Sequence, residues 1–277
     1  AEASRGMVAD ESRTRRDERC AVRGAALQKS KFGPMLIGLG SRVVFFVLSE
    51  IGTRINLINR FVVPPPSDIL AAFPRIIAEE HVTARFFDTA IEAAFASVLV
   101  AVFGIAGGVL LYQVRLLRLA TETWVAAFAA APTVLIYPLF LVIFGRTATT
   151  IVMMAFVAGL APVTLKTLEG LATTRRVLIN VGRSFNLTER QLFWKILFPS
   201  AMPTIFVGVR LGLIFALINI VGVEFLINFG GLGQLINELS ERYDLAGTYA
   251  SICFVILVSV IVCMATERAE RWLRPGN

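Results

Sequence analysis

The chain has 277 residues, 56% of them hydrophobic and only 17% charged, with a formal net charge of +7. An average soluble domain carries about 25% charged and about 45–50% apolar residues. This composition therefore excludes a disordered chain, a collagen-like chain and a disulfide scaffold, and it argues against a soluble enzyme, whose surface could not hide so much apolar side chain. Three cysteines without a CxxC pair and the single His81 leave little for a metal centre or a Ser/His/Asp triad. In so apolar a chain the positive charge reads as membrane topology, not nucleic-acid binding.

In chain order, residues 1–31 form a polar basic tail with Arg5, Arg13, Arg15, Arg16, Arg19, Arg23, Lys29 and Lys31. Without apolar periodicity it is predicted to be disordered. The apolar stretch after it lacks a small-residue cleavage site, so it reads as an uncleaved first span and not as a secretory signal. Six apolar stretches follow, at about 32–51, 89–112, 121–144, 149–165, 204–228 and 246–265. Each approaches the roughly 17–25 residues a helix needs to cross a bilayer. None shows the strict alternation of a membrane barrel, and a helix satisfies its backbone groups internally. The predicted fold is all-α and integral to the membrane, with about six transmembrane helices in a domain at 32–277. Most of the 27 Lys and Arg residues then lie on the same side as the tail, which predicts both termini in the cytoplasm.

Within the spans, Pro132 and Pro138 predict a kink in the third, because each removes a backbone donor at membrane depth. That marks the helix either as a packing kink or as the lining of a passage. Glu224, in the fifth span, costs at least about 2.5–3.5 kcal/mol if left unpaired near a bilayer centre. It cannot reach Arg210 along the same helix, about 21 Å away at about 1.5 Å per residue, so it reads as structural or gate-lining. Arg210 reads as snorkelling to the interface. Tyr137 and Asn219 are further candidate pathway residues. Gly104, Gly107 and Gly108 suit close helix approach.

The segment 166–203 is too long for a simple connection, and it is amphipathic. Val177, Leu178 and Val181 alternate with charges, and Thr188 with Gln191 gives a capping-box spacing. Leu192, Phe193, Ile196 and Leu197 make an apolar face up to Pro199. Two short helices meeting at Asn186 are predicted to lie on the cytoplasmic membrane surface and present a knob.

This segment resembles the cytoplasmic loop of the membrane subunits of bacterial ABC importers, whose pattern is EAA, three residues, Gly, nine residues, Ile, one residue, Leu-Pro. Asn180-Val181-Gly182 stands where EAA would be, followed by Arg183. Asn186 falls at the glycine, Ile196 at the isoleucine, Phe198 at the leucine and Pro199 at the proline. The spacing is kept while the EAA letters and the glycine are lost; asparagine is the next most tolerant residue for a left-handed helix end. VVPPPSDIL, APTVLIYPLFLVIFGRT and VEFLINFGGLGQLI extend the resemblance to the binding-protein-dependent importers for nitrate, taurine and alkanesulfonates.

The resemblance implies a permease subunit that is not itself an enzyme. It binds no cofactor directly, and ATP is used by a cytoplasmic ATPase partner. It also implies a second permease copy in a homodimer, an external solute-binding protein and a lipid bilayer around the spans. Asn180, Val181, Gly182, Arg183, Asn186, Ile196, Phe198 and Pro199 would form the ATPase-coupling loop, and Pro132, Tyr137, Asn219 and Glu224 the translocation pathway. No GxxxxGK[ST] phosphate loop occurs in the sequence. The external stretch Gly52–Asp88, with Arg54, Arg60, Arg75 and Arg85, would face an acidic binding protein. An ion-driven secondary transporter would need matched broken repeats and intramembrane acids, of which Glu224 is one candidate. A membrane enzyme would need a catalytic cluster that His81 alone does not supply.

Overall fold

The structure, a computed structural model, describes residues 33–273 apart from 56, 58, 60 and 61. The basic tail predicted at 1–31 lies outside the described residues. The chain divides into two units, one ending at Asp68 and the other running from Ile69 onward. In the first, α1 (Gly33–Arg54) covers the stretch predicted as the first span. Val43–Leu48 are exposed along it. Near its end, Glu50 pairs with Arg54 at 2.7 Å and accepts hydrogen bonds from the Ser67 amide and hydroxyl.

From Pro66 onward, every regular element among the described residues is helical. Along the chain come α2 (Pro66–Glu79), α3 (Val82–Gln113), α4 (Arg115–Ala130), a 3₁₀ turn (Thr133–Ile136), α5 (Tyr137–Phe144) and α6 (Ala148–Ala172). Then follow α7 (Arg176–Ser184), α8 (Glu189–Leu192), a π-helical stretch (Phe193–Leu197), α9 (Phe198–Ile227), α10 (Gly231–Glu241) and α11 (Leu245–Leu273). Among the described residues, four helices are long and apolar enough to cross a membrane: Val82–Gln113, Ala148–Ala172, the continuous Glu189–Ile227 and Leu245–Arg268. α4 with the segment Thr133–Phe144 would make a fifth, bent by 94°. α1, which carries Arg42 and Glu50, is not in this count.

Two sequence expectations are sharpened. The third span is broken, not merely kinked: Ala131 is extended, Pro132 caps the 3₁₀ turn and Pro138 sits in the first turn of α5, where its missing N–H costs no hydrogen bond. The fifth span does not begin after Pro203. It grows out of the preceding short helix through the π stretch, with Pro199 in the first turn of α9 and Pro203 accommodated within it.

α3, α6 and α9 form the central packing. Gly159 and Gly212 face each other so closely that a Cβ on the first would lie 2.7 Å from the Gly212 carbonyl, and one on the second 2.9 Å from the Gly159 carbonyl. Gly104 meets Val163 and Gly108 meets Thr167 just as closely, while Gly107 has slightly more room against Thr164. Above this contact, Ala96, Ile151, Met154, Ala155, Ala216, Ile220, Val223 and Ile227 make the apolar core. A second core joins Ile76 and Val82 to Leu232, Leu235 and Leu239 of α10 and Ala250 of α11. The stretch after Gly52, predicted as a loop, is largely helical.

Candidate functional site

The hairpin between α6 and α9 is built by local signals. α7 ends in a Schellman arrangement: the Asn186 amide donates to the Arg183 carbonyl at 2.9 Å and the Leu187 amide to the Gly182 carbonyl at 3.2 Å. Asn186 itself is left-handed, with φ 53°, the conformation that closes a helix in this way. Two residues on, the Thr188 amide donates to the Gln191 side chain at 3.0 Å and the Gln191 amide to the Thr188 hydroxyl at 3.3 Å, completing the capping box.

Gly182 is buried, with Leu192 and Ile196 against its Cα. Leu192 and Leu197 in turn join Leu171, Ala201 and Ile205 in a small core, and the Phe198 ring lies 5.2 Å from that of Trp194. The two helices therefore close on one another, and α7 is left with an outward apolar face. Val177 is 70% and Phe185 76% exposed, and Leu178 and Val181 are exposed beside them. Asn180, Arg183, Asn186 and Pro199 are exposed, while Ile196 and Phe198 are half-buried. Phe185 at the tip was not singled out by motif matching; its signal was an aromatic next to the helix end.

At the far end of α9, Glu224 is 0% exposed. Its carboxylate accepts from the Thr89 hydroxyl and from the Gly233 amide, each at 2.7 Å. Thr89 also accepts from the Leu232 amide at 2.9 Å, so α3, α9 and the N-terminus of α10 meet at one carboxylate. That helix end supplies unpaired amides and the positive end of its dipole. Gly231, with φ 72°, leaves the space that the carboxylate fills. Thr89, Gly231 and Gly233 were not recognised as its partners from sequence.

Around the broken third span, the Thr133 hydroxyl donates to Asn219 Oδ1 at 2.9 Å, and Asn219 Nδ2 donates to the Phe215 carbonyl at 3.0 Å. Asn219 is buried, Pro132 is exposed and Tyr137 packs half-buried against the main core. Pro132, Tyr137 and Asn219 thus gather at the break, whereas Glu224 stands apart at the α10 junction.

Four arginines have partners within the chain. Arg210 pairs with Glu267 of α11 at 3.5 Å. Arg75 and Arg85 are engaged within the chain, by Asp244 and by Glu238 (2.8 Å), and Arg54 pairs with Glu50. These arginines make internal ties.

A bundle of long apolar helices, with a closed amphipathic hairpin at one end of its longest member and a buried carboxylate junction at the other, defines a multi-pass membrane subunit. Residues 97–276 match the family described as binding-protein-dependent transport system inner membrane component, and the chain belongs to that family. Over 239 residues it is 25% identical to a probable ABC transporter permease protein of Brucella melitensis, covering 86% of this chain and 97% of that one. Over 250 residues it is 23% identical to the taurine transport system permease protein TauC of Escherichia coli, covering 87% and 90%. The inward-facing MetNI methionine ABC transporter shares the fold, with a TM-score of 0.59 and 20% identity over 68% of this chain and 94% of that one. The protein is therefore an inner-membrane ABC permease component, a transport subunit whose ATPase partner uses the ATP.

Proposed function

We propose that this chain forms half of the translocation pathway of an ATP-driven importer for a small solute of the taurine, sulfonate or nitrate type, delivered by an external binding protein. A second copy completes the pathway, and both termini and the α7–α8 hairpin face the cytoplasm. The hairpin residues Asn180, Val181, Gly182, Arg183, Asn186, Ile196, Phe198 and Pro199 transmit ATPase closure to the spans. Val177, Val181 and Phe185 supply the apolar surface that enters a cleft on the ATPase. Pro132 and Tyr137 border the pathway at the broken third span. Asn219 holds that break, and Glu224 holds the outer end of the same frame.

The exposed apolar face of α7 carries this reading, because an isolated surface helix has no reason to keep Val177 and Phe185 in water. Its rigid mounting on α9 suits a part that must pass motion by hinge or shear. The solute class is supported by the relative named for taurine. The test is site-directed crosslinking of Phe185→Cys in the assembled transporter. A crosslink to the ATPase that changes with nucleotide supports the reading, and labelling only from the external side overturns it.

A further inference from the structure

A groove of about 800 Å³ runs between α3 and the stretch that carries the hairpin into α9. On α3 its lining extends from Ala101 to Gln113, about 18 Å at about 1.5 Å per residue. One leaflet of hydrocarbon, half of a core about 30 Å thick, has a similar depth. The lining changes character along that length. Val102, Ile105, Ala106 and Val109 are apolar, and the hairpin end brings Tyr112, Gln113, Glu189 and Arg190.

The opposite wall is aromatic because of the π turn. The Phe198 amide donates to the Phe193 carbonyl, five residues back. Residues five apart on an α-helix point about 140° away from one another. Here the Phe193 and Phe198 rings lie 6.0 Å apart, and Trp194 stands 5.3 Å from the first and 5.2 Å from the second. All three rings border the groove, and Trp194 is 57% exposed. Such π turns are rare and gather at functional sites.

The charge of the hairpin end is one-sided. Residues 175–198 hold Arg175, Arg176, Arg183, Arg190 and Lys195 against the single acid Glu189, and all six are exposed. Arg115, two residues beyond the end of α3, is exposed too. Arg118 is taken by Glu122 at 2.9 Å, but among the described residues no ion pair engages Arg190 or Arg115. An occupant must therefore be apolar along most of its length and negative at the hairpin end. It must also be thin. The volume spread over about 18 Å leaves a section of about 44 Å², whereas a helix about 10 Å across needs about 80 Å².

We propose that this groove binds one anionic phospholipid of the surrounding bilayer. Its phosphate sits on Arg190, with the Tyr112 hydroxyl and the Gln113 amide as further donors. An acyl tail lies along Val102, Ile105, Ala106 and Val109 against the aromatic wall. Basic pockets between spans hold anionic headgroups in this way, and Tyr and Trp belong at headgroup level. That the leaflet is the cytoplasmic one rests on the reading of the hairpin given above.

The test is photo-crosslinking in the assembled transporter, with benzoylphenylalanine in place of the exposed Ala106. The transporter is held in nanodiscs made from equal parts of phosphatidylglycerol and phosphatidylcholine. Mass spectrometry of the adducts should find phosphatidylglycerol at least about fivefold over phosphatidylcholine, the effect expected of one arginine near an anionic headgroup. Arg190→Gln, at an exposed position that does not threaten folding, should remove most of that preference, and Arg190→Lys should keep it. Arg176→Gln, on the hairpin but outside the groove, should leave it unchanged. Equal labelling of the two lipids, no lipid adduct, or an equal loss in Arg176→Gln overturns the proposal. So does labelling of a second copy of this chain or of the ATPase in place of lipid. Both leaflets of the nanodisc share one composition, so the outcome does not depend on which side the hairpin faces; failure of that reading shows in the Phe185→Cys crosslink instead.

Discussion

Gly182 and Leu192 touch across the hairpin: a Cβ built on Gly182 would stand 2.5 Å from Leu192 Cδ1, and 2.6 Å from Ile196 Cδ1. An alanine there must push two side-chain ends aside, at about 1–3 kcal/mol of local strain. An aspartate adds a charge in an apolar contact. Gly182→Asp is expected to abolish solute-stimulated ATPase activity of the assembled transporter while the chain still inserts in the membrane. Gly182→Ala should retain a reduced fraction. Normal stimulation in the aspartate variant would count against transmission through this hairpin.

Asn186 tests the backbone alone. With φ 53°, Asn186→Gly should change stability by no more than about 0.5 kcal/mol, because glycine adopts this region freely. Asn186→Val should cost about 1–2 kcal/mol, since its branched side chain crowds the left-handed backbone. Thermal unfolding in detergent compares the two variants, and equal midpoints would show that the turn does not depend on this conformation.

Phe185 separates docking from folding. It is exposed at the tip of α7, so Phe185→Asp should leave the unfolding midpoint within the range of surface changes, about ±0.5 kcal/mol. Recovery of the ATPase with the permease should fall at least tenfold. Full recovery would move the contact elsewhere.

Glu224 is the costly residue to remove. Glu224→Ala orphans the Gly233 amide and one bond of Thr89, at about 1–3 kcal/mol for each unsatisfied group. Glu224→Gln should lose less, because its carbonyl oxygen still accepts. Gly231→Ala should be destabilising in the wild type and milder in a Glu224→Ala background, because the clash is with that carboxylate. Strict additivity in the double-mutant cycle would deny the contact.

Signals confined to a few residues were legible in the sequence. Thr188 and Gln191 announce their capping box, Asn186 its left-handed turn, and Pro132 with Pro138 the interruption of the third span. Each depends on backbone chemistry within one or two turns. Partnerships across the chain were not legible: Thr89 reaches Glu224 from 135 positions away, and Arg85 reaches Glu238 from 153. The start of the fifth span was misplaced for a related reason. Pro199 and Pro203 look like helix breakers, yet Pro199 falls in the first turn of α9 and the helix absorbs Pro203. The Gly231–Gly233 pair was visible as a pattern, but its purpose appeared only when α10 was seen to close over Glu224.

The helix from Glu189 to Ile227 is 39 residues long, about 58 Å at about 1.5 Å per residue. The folded knuckle at one tip and the carboxylate clasp near the other therefore ride on a single stiff lever. A tilt of about 5° at the knuckle would swing the opposite tip by about 5 Å, and the widened turn at Phe193–Leu197 is where such a lever has its give.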